Sequence, residues 1–191
     1  MDTIMDLEVP KFEPMPKIGR LSRDCTVTEK IDCTNSSIYI GEQIAGRAGD
    51  GLFLTGSRTR WITPTDDNYG FSRWAHEHKE ELLQLGPGHH FGEWWGAGIQ
   101  RRYGLIEKRF SLFNTGRWNN NNYPACCHVV PVLYEGLFDS SVITMILNEL
   151  KEGGSHAVPG FAKPEGIVIY HHSTKQLFKK TIEKDEKGKG E

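Results

Sequence analysis

The sequence predicts an α+β fold in one domain, built mainly from antiparallel sheet. Its 191 residues are enough for one domain with a buried core. Many short segments rich in β-branched and aromatic residues are separated by polar turns, and two segments have the three-and-four apolar spacing of a helix. Many short strands with two interspersed helices favour this fold class.

The first 25 residues are expected to form an extended arm packed on the core, because prolines separate isolated apolar residues there. The N-terminus is acidic and has no apolar segment of the kind that a signal peptide needs. No apolar run approaches the roughly 18 residues of a membrane span. We therefore expect a cytoplasmic protein without a membrane partner.

Two strands are predicted between residues 26 and 40, around a polar break at residues 33–36 (Cys-Thr-Asn-Ser). Residues 49–51 (Gly-Asp-Gly) predict a hairpin turn that leads into residues 52–54.

Two helices are expected. Apolar residues recur at helical spacing over residues 71–85, and Gly86 ends that helix. The second helix runs from about residue 141 to residue 152, with Ser140 as its N-cap and residues 153–154 (Gly-Gly) as its end.

Further strand-like segments complete a body expected at residues 26–182. They are residues 91–95, 110–113, 129–134, 166–170 and 176–182. Residues 183–191 are nearly all charged or glycine and are expected to form a flexible tail.

The composition disfavours several kinds of site. A net charge of -2 gives no global signal for nucleic acid, so such a partner would need local basic clusters. Clusters that mix cations with aromatic residues occur at residues 101–103, 108–109 and 117–118, and fit a nucleic-acid groove or a solvated loop face equally well. The four cysteines match no zinc spacing, which favours free thiols.

Lys30 is the first residue with a candidate chemical role. It ends a strand-like run just before a polar turn. A lysine that faces a pocket can act as a nucleophile, but a surface lysine on a half-exposed strand has the same sequence context. Spacing alone favours the surface lysine.

Six segments, taken in order, change that balance. They are residues 29–35 (Glu-Lys-Ile-Asp-Cys-Thr-Asn), 57–58 (Ser-Arg), 91–96 (Phe-Gly-Glu-Trp-Trp-Gly), 110–114 (Phe-Ser-Leu-Phe-Asn), 165–169 (Glu-Gly-Ile-Val-Ile) and 178–180 (Phe-Lys-Lys). Together they resemble the motifs of the covalent nucleotidyltransferases, and among these the ATP-dependent RNA ligases of the small RNA-repair type. Each motif alone is weak, whereas six in this order are strong.

The resemblance implies a nucleotidyltransferase core, the ATP-grasp-like adenylation core of ligases, with antiparallel sheets around an ATP cleft. It implies that RNA ends with a 5′-phosphate and a 3′-hydroxyl are joined through a lysyl-AMP intermediate. ATP and Mg²⁺ or Mn²⁺ would be the cofactors and RNA ends the partners. A separate accessory protein could supply a substrate-binding domain, and the oligomeric state stays open.

The resemblance also gives residues their roles. Lys30 would be the nucleophile. Arg58 would bind the ribose or a phosphate, Glu93 would accept from the ribose hydroxyls, and Phe113 would stack on adenine. Of Phe110 and Phe113, one is expected to lie in the core instead.

Glu165 would help place the metal ion, and Lys179, with Lys180, would neutralise charge on the α-phosphate. Without the motif order, Glu165 could be a loop carboxylate and the two lysines part of the solvated tail. The other residues expected to bind the nucleotide belong to the first of the six segments, the lysine motif at residues 29–35: Glu29, Ile31 and Asn35.

Two departures from the family pattern keep alternatives open. Cys33 stands where the family has glycine, a residue used for positive φ or close backbone approach. Either the turn is distorted and adenylation weakened, or the turn has a conformation that cysteine can adopt. The last motif reads Lys-Lys-Thr instead of Lys-x-Lys. The alternatives are a catalytically weak nucleotide- or RNA-binding protein, a DNA ligase or capping-type nucleotidyltransferase, and an unrelated α+β domain.

Overall fold

Two β-sheets and three helices make up the described part of the chain. The structure, a computed structural model, describes residues 11–42, 51–119 and 122–183. The first sheet holds β1 (Asp24–Lys30), β8 (Val132–Leu137), β9 (Gly166–His171) and β10 (Gln176–Thr181), in the order β10-β9-β1-β8. The second holds β2 (Thr34–Ile40), β3 (Phe53–Ser57), β4 (Trp61–Ile62), β5 (Gly88–Gly96), β6 (Lys108–Leu112) and β7 (Cys127–Val129), in the order β4-β3-β2-β5-β6-β7.

Every pairing between these strands is antiparallel except that of β6 with β7, so the prediction of mainly antiparallel sheet is confirmed. The segment at residues 129–134, predicted as one strand, is divided between β7 and β8. Pro131 lies in the gap, where it has no N–H to offer a neighbouring strand.

The first predicted helix is interrupted. Helix α1 (Phe71–Glu77) ends before His78, whose φ of -102° and ψ of 18° leave the helical region. Helix α2 (Lys79–Leu82) and a 3-10 turn (Leu83–Leu85) follow, up to Gly86. The apolar spacing continues through the break because both helices face the same core, so the pattern indicated a buried face and not a continuous ladder of hydrogen bonds.

Helix α3 (Ser140–Gly153) lies within one residue of its predicted bounds. Its N-cap is Asp139 instead of Ser140, since the Asp139 carboxylate accepts the N–H of Ser141 at 2.7 Å. Its apolar face packs against the first sheet through a cluster that includes Ile143, Leu150, Val27, Ile167 and Ile169. Helices α1 and α2 cover one face of the second sheet.

A small cluster lies where the two sheets meet. It contains Ile31, Trp95, Tyr103 and Val130. The side chain of Ile31, a residue expected to bind the nucleotide, is buried in this cluster and packs between the sheets. The cluster forms the base of the junction from which Lys30 projects.

The two ends of the chain are described in part. Residues 1–10 and 184–191, and residues 49–50 of the predicted hairpin turn, lie outside the described residues. The residues from 11 to 24 are exposed, and contact with the body includes the carbonyl of Leu21, which accepts from His171 Nε2 at 2.8 Å. Among the described residues, no helix is both long and apolar enough to cross a bilayer.

Candidate active site

Lys30 and Glu165 form an ion pair at the junction of the sheets. Lys30 ends β1 and lies opposite Gly166, the first residue of β9, so Glu165 precedes the strand that pairs with the lysine. The Lys30 Nζ and a Glu165 carboxylate oxygen are 2.5 Å apart, and both side chains are partly buried. The two residues predicted as nucleophile and metal ligand are thus brought together from positions 135 residues apart in the chain.

The strand register distinguishes the two lysines of β10. Lys179 pairs with Val168 and Lys180 with Ile167. Directly paired residues share a face of the sheet and neighbours along a strand alternate. Lys179 is therefore on the same face as Lys30, whereas Lys180 is on the face of the buried Ile167, which α3 covers. This placement disfavours the role predicted for Lys180 beside Lys30.

Gly166 allows β9 and β10 to approach closely at this point. A Cβ on Gly166 would come within 2.2 Å of the Lys180 carbonyl oxygen, which no real side chain tolerates. Thr181 pairs with Gly166 and so shares the face of Lys30 and Lys179. A threonine thus occupies the position at which a Lys-x-Lys motif would present its second lysine.

Glu29 points away from Lys30 and is buried. Its carboxylate accepts hydrogen bonds from Ser155 Oγ at 2.6 Å and from the backbone N–H groups of His156 and Ala157 at 2.8 and 2.9 Å. These three hydrogen bonds give the Glu29 carboxylate a structural role and disfavour the nucleotide contact expected of this residue. Glu29 holds the start of the segment that leads to Glu165.

Cys33 is accommodated without backbone strain in the lysine turn, residues 31–33, which joins β1 to β2. Its φ is not positive. Its N–H donates to Glu93 Oε1 at 3.1 Å, its thiol donates to the Ile99 carbonyl at 3.6 Å, and its own carbonyl accepts from Gln100 Nε2 at 3.0 Å. Burial raises the pKa of the Cys33 thiol to about 12, which keeps the thiol a neutral donor. Of the two alternatives for this turn, the structure has the one that cysteine can adopt.

The loop after β5 holds the lysine turn. Tyr103 Oη accepts the N–H of Asp32 at 2.8 Å, and Arg101 Nε donates to the Asp32 carboxylate at 2.5 Å. Gln100, Arg102 and Tyr103 all have positive φ, of 38°, 59° and 50°, a conformation that persists only when its surroundings hold it. In the sequence, residues 101–103 resemble a basic cluster, and the one signal for their structural role is that they follow closely on the motif at residues 91–96.

Glu93 and Asn35 lie opposite each other in the second sheet. Asn35 Nδ2 donates to Glu93 Oε2 at 2.9 Å. Burial raises the pKa of Glu93 to about 8, although the charge of Lys30 lowers it. Asn35 was expected to bind the nucleotide, in a segment that the sequence places in the polar break at residues 33–36. It lies instead in β2, because the break falls at residues 31–33, before residue 34 pairs with β5.

Arg58 and Phe113 each directly follow a strand of the second sheet. Arg58 is exposed in the bend after β3, one residue beyond the pair between Ser36 and Ser57. Phe113 is 39% exposed and its N–H donates to the carbonyl of Phe91 at 3.0 Å, whereas Phe110 is fully buried in the core. The expectation that one of the two phenylalanines is core is confirmed, and Phe113 is the one with an open ring face.

The carboxylates near Lys30 fit a divalent cation bound together with a nucleotide. The charges of Glu165 and Asp32 both raise the pKa of Glu93, so the three carboxylates lie near one another. Within the described ranges no group of three or more His, Cys, Asp or Glu side chains is arranged to hold a metal ion. Carboxylate oxygens are ligands that Mg²⁺ takes in proteins, one or two of them together with substrate phosphates.

Cations of the basic clusters make hydrogen bonds and ion pairs with other residues of the chain. Lys108 Nζ donates to the Tyr69 carbonyl at 2.6 Å, and Arg109 pairs with Glu107 at 2.6 Å. Arg117 donates to the Leu85 carbonyl at 2.6 Å. These contacts disfavour a nucleic-acid groove made of these cations.

Comparisons with known proteins give one consistent result. The family model described as RNA ligase matches residues 23–182. An apo mutant of Naegleria gruberi RNA ligase is 20% identical over 84% of this chain and 50% of its own, with a TM-score of 0.59. The same ligase with PPi is 19% identical over 91% of this chain and 57% of its own, with a TM-score of 0.58. A mutant of it with ATP and Mn is 19% identical over 84% and 50%, with a TM-score of 0.56.

At these identities the structural likeness establishes the fold. The chain spans about half the length of the solved ligases that it matches. No curated protein matches the chain.

Proposed function

Because the chain belongs to the RNA ligase family, we propose that it catalyses the ATP-dependent joining of RNA ends through a covalent lysyl-AMP. The observation that carries the proposal is the ion pair of Lys30 with Glu165 at the junction of the two sheets, at 2.5 Å. An ordinary surface lysine would not be partly buried against a carboxylate beside a second, buried carboxylate, that of Glu93. We assign the space between the sheets as the ATP cleft of an ATP-grasp-like adenylation core.

In the first step the Lys30 amine, after giving up a proton, attacks the α-phosphorus of ATP. A nitrogen–phosphorus bond forms, the bond from that phosphorus to the bridging oxygen breaks, and pyrophosphate leaves. Glu165 is close enough to accept the departing proton. AMP then passes to the RNA 5′-phosphate, and attack by the 3′-hydroxyl releases AMP and joins the strands.

The other residues of the site bind and orient the nucleotide. Lys179, on the face of Lys30, offsets charge on the α-phosphate. Glu93, with its orientation set by Asn35, accepts from the ribose hydroxyls. Phe113 offers its exposed ring to adenine, and Arg58 contributes a cation at the edge. A bound Mg²⁺ or Mn²⁺ near Glu165 would polarise the phosphate.

One observation favours a second candidate, a catalytically weak nucleotide- or RNA-binding protein of the same fold. Thr181 stands on the Lys30 face where a second lysine is expected, which leaves less positive charge for the α-phosphate. The accommodated Cys33 argues in the other direction. No observation favours the DNA ligase or capping alternatives.

The test is incubation with ATP labelled at the α-phosphate and Mg²⁺ or Mn²⁺, followed by denaturing electrophoresis. We expect a labelled band that Lys30→Ala abolishes and that 5′-phosphorylated RNA discharges. Lys179→Ala should reduce it, and Lys180→Ala on the opposite face is the matched control. ATP binding without a band, in the protein and in Cys33→Gly, would favour the binding protein over the ligase.

The proposal also covers the substrates, the cellular location and a partner protein. The substrates are RNA ends with a 5′-phosphate and a 3′-hydroxyl, the location is cytoplasmic, and a separate protein could complete the RNA-binding surface. Assays of RNA sealing by the purified protein, with and without cell extract, would show whether sealing requires a separate protein.

A further inference from the structure

A row of aromatic side chains crosses the second sheet beside the site. The aromatic row consists of Tyr39, Trp61, His89 and Phe91. Trp61 and Phe91 are 50% and 54% exposed. The ring centroids of Trp61 and His89 are 5.4 Å apart, those of His89 and Phe91 4.0 Å, and Tyr39 contacts both Trp61 and His89 edge-on.

The register places the aromatic row on the site face of the sheet. Asn35 pairs with Glu93, and two positions further along each strand Ser37 pairs with Phe91, so these residues share a face. Gly56, which also pairs with Ser37, has no side chain there. A Cβ on it would meet the Trp61 ring at 3.3 Å, so the ring lies over this glycine.

The opposite face of the sheet is filled. There Trp94 and Phe110 pack against Phe71 of α1, with centroids 5.5 and 5.0 Å apart. Within the described part of the chain, the Trp61 and Phe91 rings have no such cover and keep about half of their surface exposed. A cluster of exposed large rings is unusual on a protein surface and marks a binding site.

The aromatic row continues the predicted nucleotide site without a gap. Phe91 is the cross-strand neighbour of Phe113, the ring proposed to stack on adenine. The row crosses the sheet from β4 to β5, three strand spacings or roughly 14 Å, which is room for up to about four bases stacked at 3.4 Å. The exposed Arg58 lies in the bend just before Trp61, where it can meet a phosphate.

We propose that the aromatic row binds single-stranded RNA by stacking its bases, next to the end that receives AMP. The inference rests on the proposed ligase function, since it takes RNA as the substrate. Flat rings suit this occupant because each base has a π face, and stacking tolerates any sequence. A ligase that joins ends of differing sequence needs such tolerance.

The test measures the affinity of the full chain for a short fluorescent single-stranded RNA with a 5′-phosphate, across a range of salt concentrations. Trp61→Ala should weaken binding about 5- to 150-fold, while Trp61→Phe keeps a ring and stays within a few-fold. The salt dependence should be unchanged in Trp61→Ala and reduced in Arg58→Ala, which removes a phosphate contact. The matched control is Phe12→Ala, which removes a ring that is 84% exposed in the segment before β1.

Lysyl-AMP formation from ATP alone separates this inference from the proposed function. Retained adduct with weakened RNA binding in Trp61→Ala supports the aromatic row. Retained adduct with unchanged RNA binding overturns it and leaves the ligase standing. Trp61-dependent RNA binding without any adduct in the native chain supports the row and overturns the ligase.

If sedimentation shows that Trp61→Ala breaks self-association and RNA binding is unaffected, the row is a protein contact and the inference fails. Should Trp61→Ala lower the melting temperature, Tyr39→Ala provides the same comparison.

Discussion

Removing one hydroxyl group from Tyr103 tests whether the loop after β5 holds the lysine turn. The side chain is 1% exposed, and its oxygen accepts the N–H of Asp32, two residues beyond Lys30. In Tyr103→Phe the ring keeps its contacts with Trp95 and Phe161, at centroid distances of 5.0 and 4.6 Å, so little cavity forms. What remains is a part-buried N–H without its acceptor.

An unsatisfied buried donor costs about 1–3 kcal/mol, so the free energy of unfolding should fall by that amount. For a chain of this length, a change of 1 kcal/mol moves the melting temperature by roughly 2–4 °C. The expected decrease is therefore about 2–12 °C. The rate of lysyl-AMP formation, measured at saturating ATP well below the melting temperature, should fall as well, because the turn that carries Asp32 is no longer tied to the loop.

Tyr134→Phe is the matched control. Its hydroxyl donates to the Leu137 carbonyl at 3.0 Å in an exposed part of β8, so the same chemical change should cost less there and should leave adduct formation unchanged. The reasoning is refuted if Tyr103→Phe unfolds and forms the adduct as the native protein does. Equal losses of adduct in both variants would also refute it.

Three further predictions concern the buried groups around Lys30. Glu93 has its pKa raised to about 8, so the folded state binds the proton more tightly than the unfolded state does, and the free energy of unfolding should fall as the pH rises from about 4.5 to about 8. Denaturant unfolding at pH 5 and pH 8 should show this slope flattened in Glu93→Gln; an equal slope in both proteins would contradict it. Gly166→Ala should lower the melting temperature and reduce adduct formation, because its Cβ would collide with the Lys180 carbonyl, whereas Gly153→Ala, with open space around its Cβ, should do neither. Glu29→Gln should lower the free energy of unfolding by about 2–3 kcal/mol. The two carboxylate oxygens accept three hydrogen bonds, and the amide puts an NH₂ donor in place of one of these oxygens. A melting temperature equal to that of the native chain would show that the carboxylate is not needed.

The local features of this protein could be predicted from its sequence. Short apolar runs and turn residues indicated the strands and helices, since these depend on side chains within a few positions of each other. The order of six motifs indicated the RNA ligase family and marked Lys30, because both are read along the chain.

Which side chains reach the site depends on how distant strands pair. Neighbours on a strand alternate between faces, so the choice of Lys179 over Lys180, or of Lys30 over Glu29, depends on the register with β9, more than 130 residues from β1. The spacing of two residues within one strand shows whether they lie on opposite faces of the sheet. Which of these faces carries the site is shown only by the pairing with other strands.

The supports of the lysine turn also come from distant segments. Asp32 and Tyr103 are 71 residues apart, and Cys33 keeps an ordinary backbone because Glu93 and the loop after β5 meet its polar groups. A glycine-to-cysteine departure is ambiguous in sequence because φ at one residue is set by the contacts that close the turn. Those contacts exist once the two sheets have packed together.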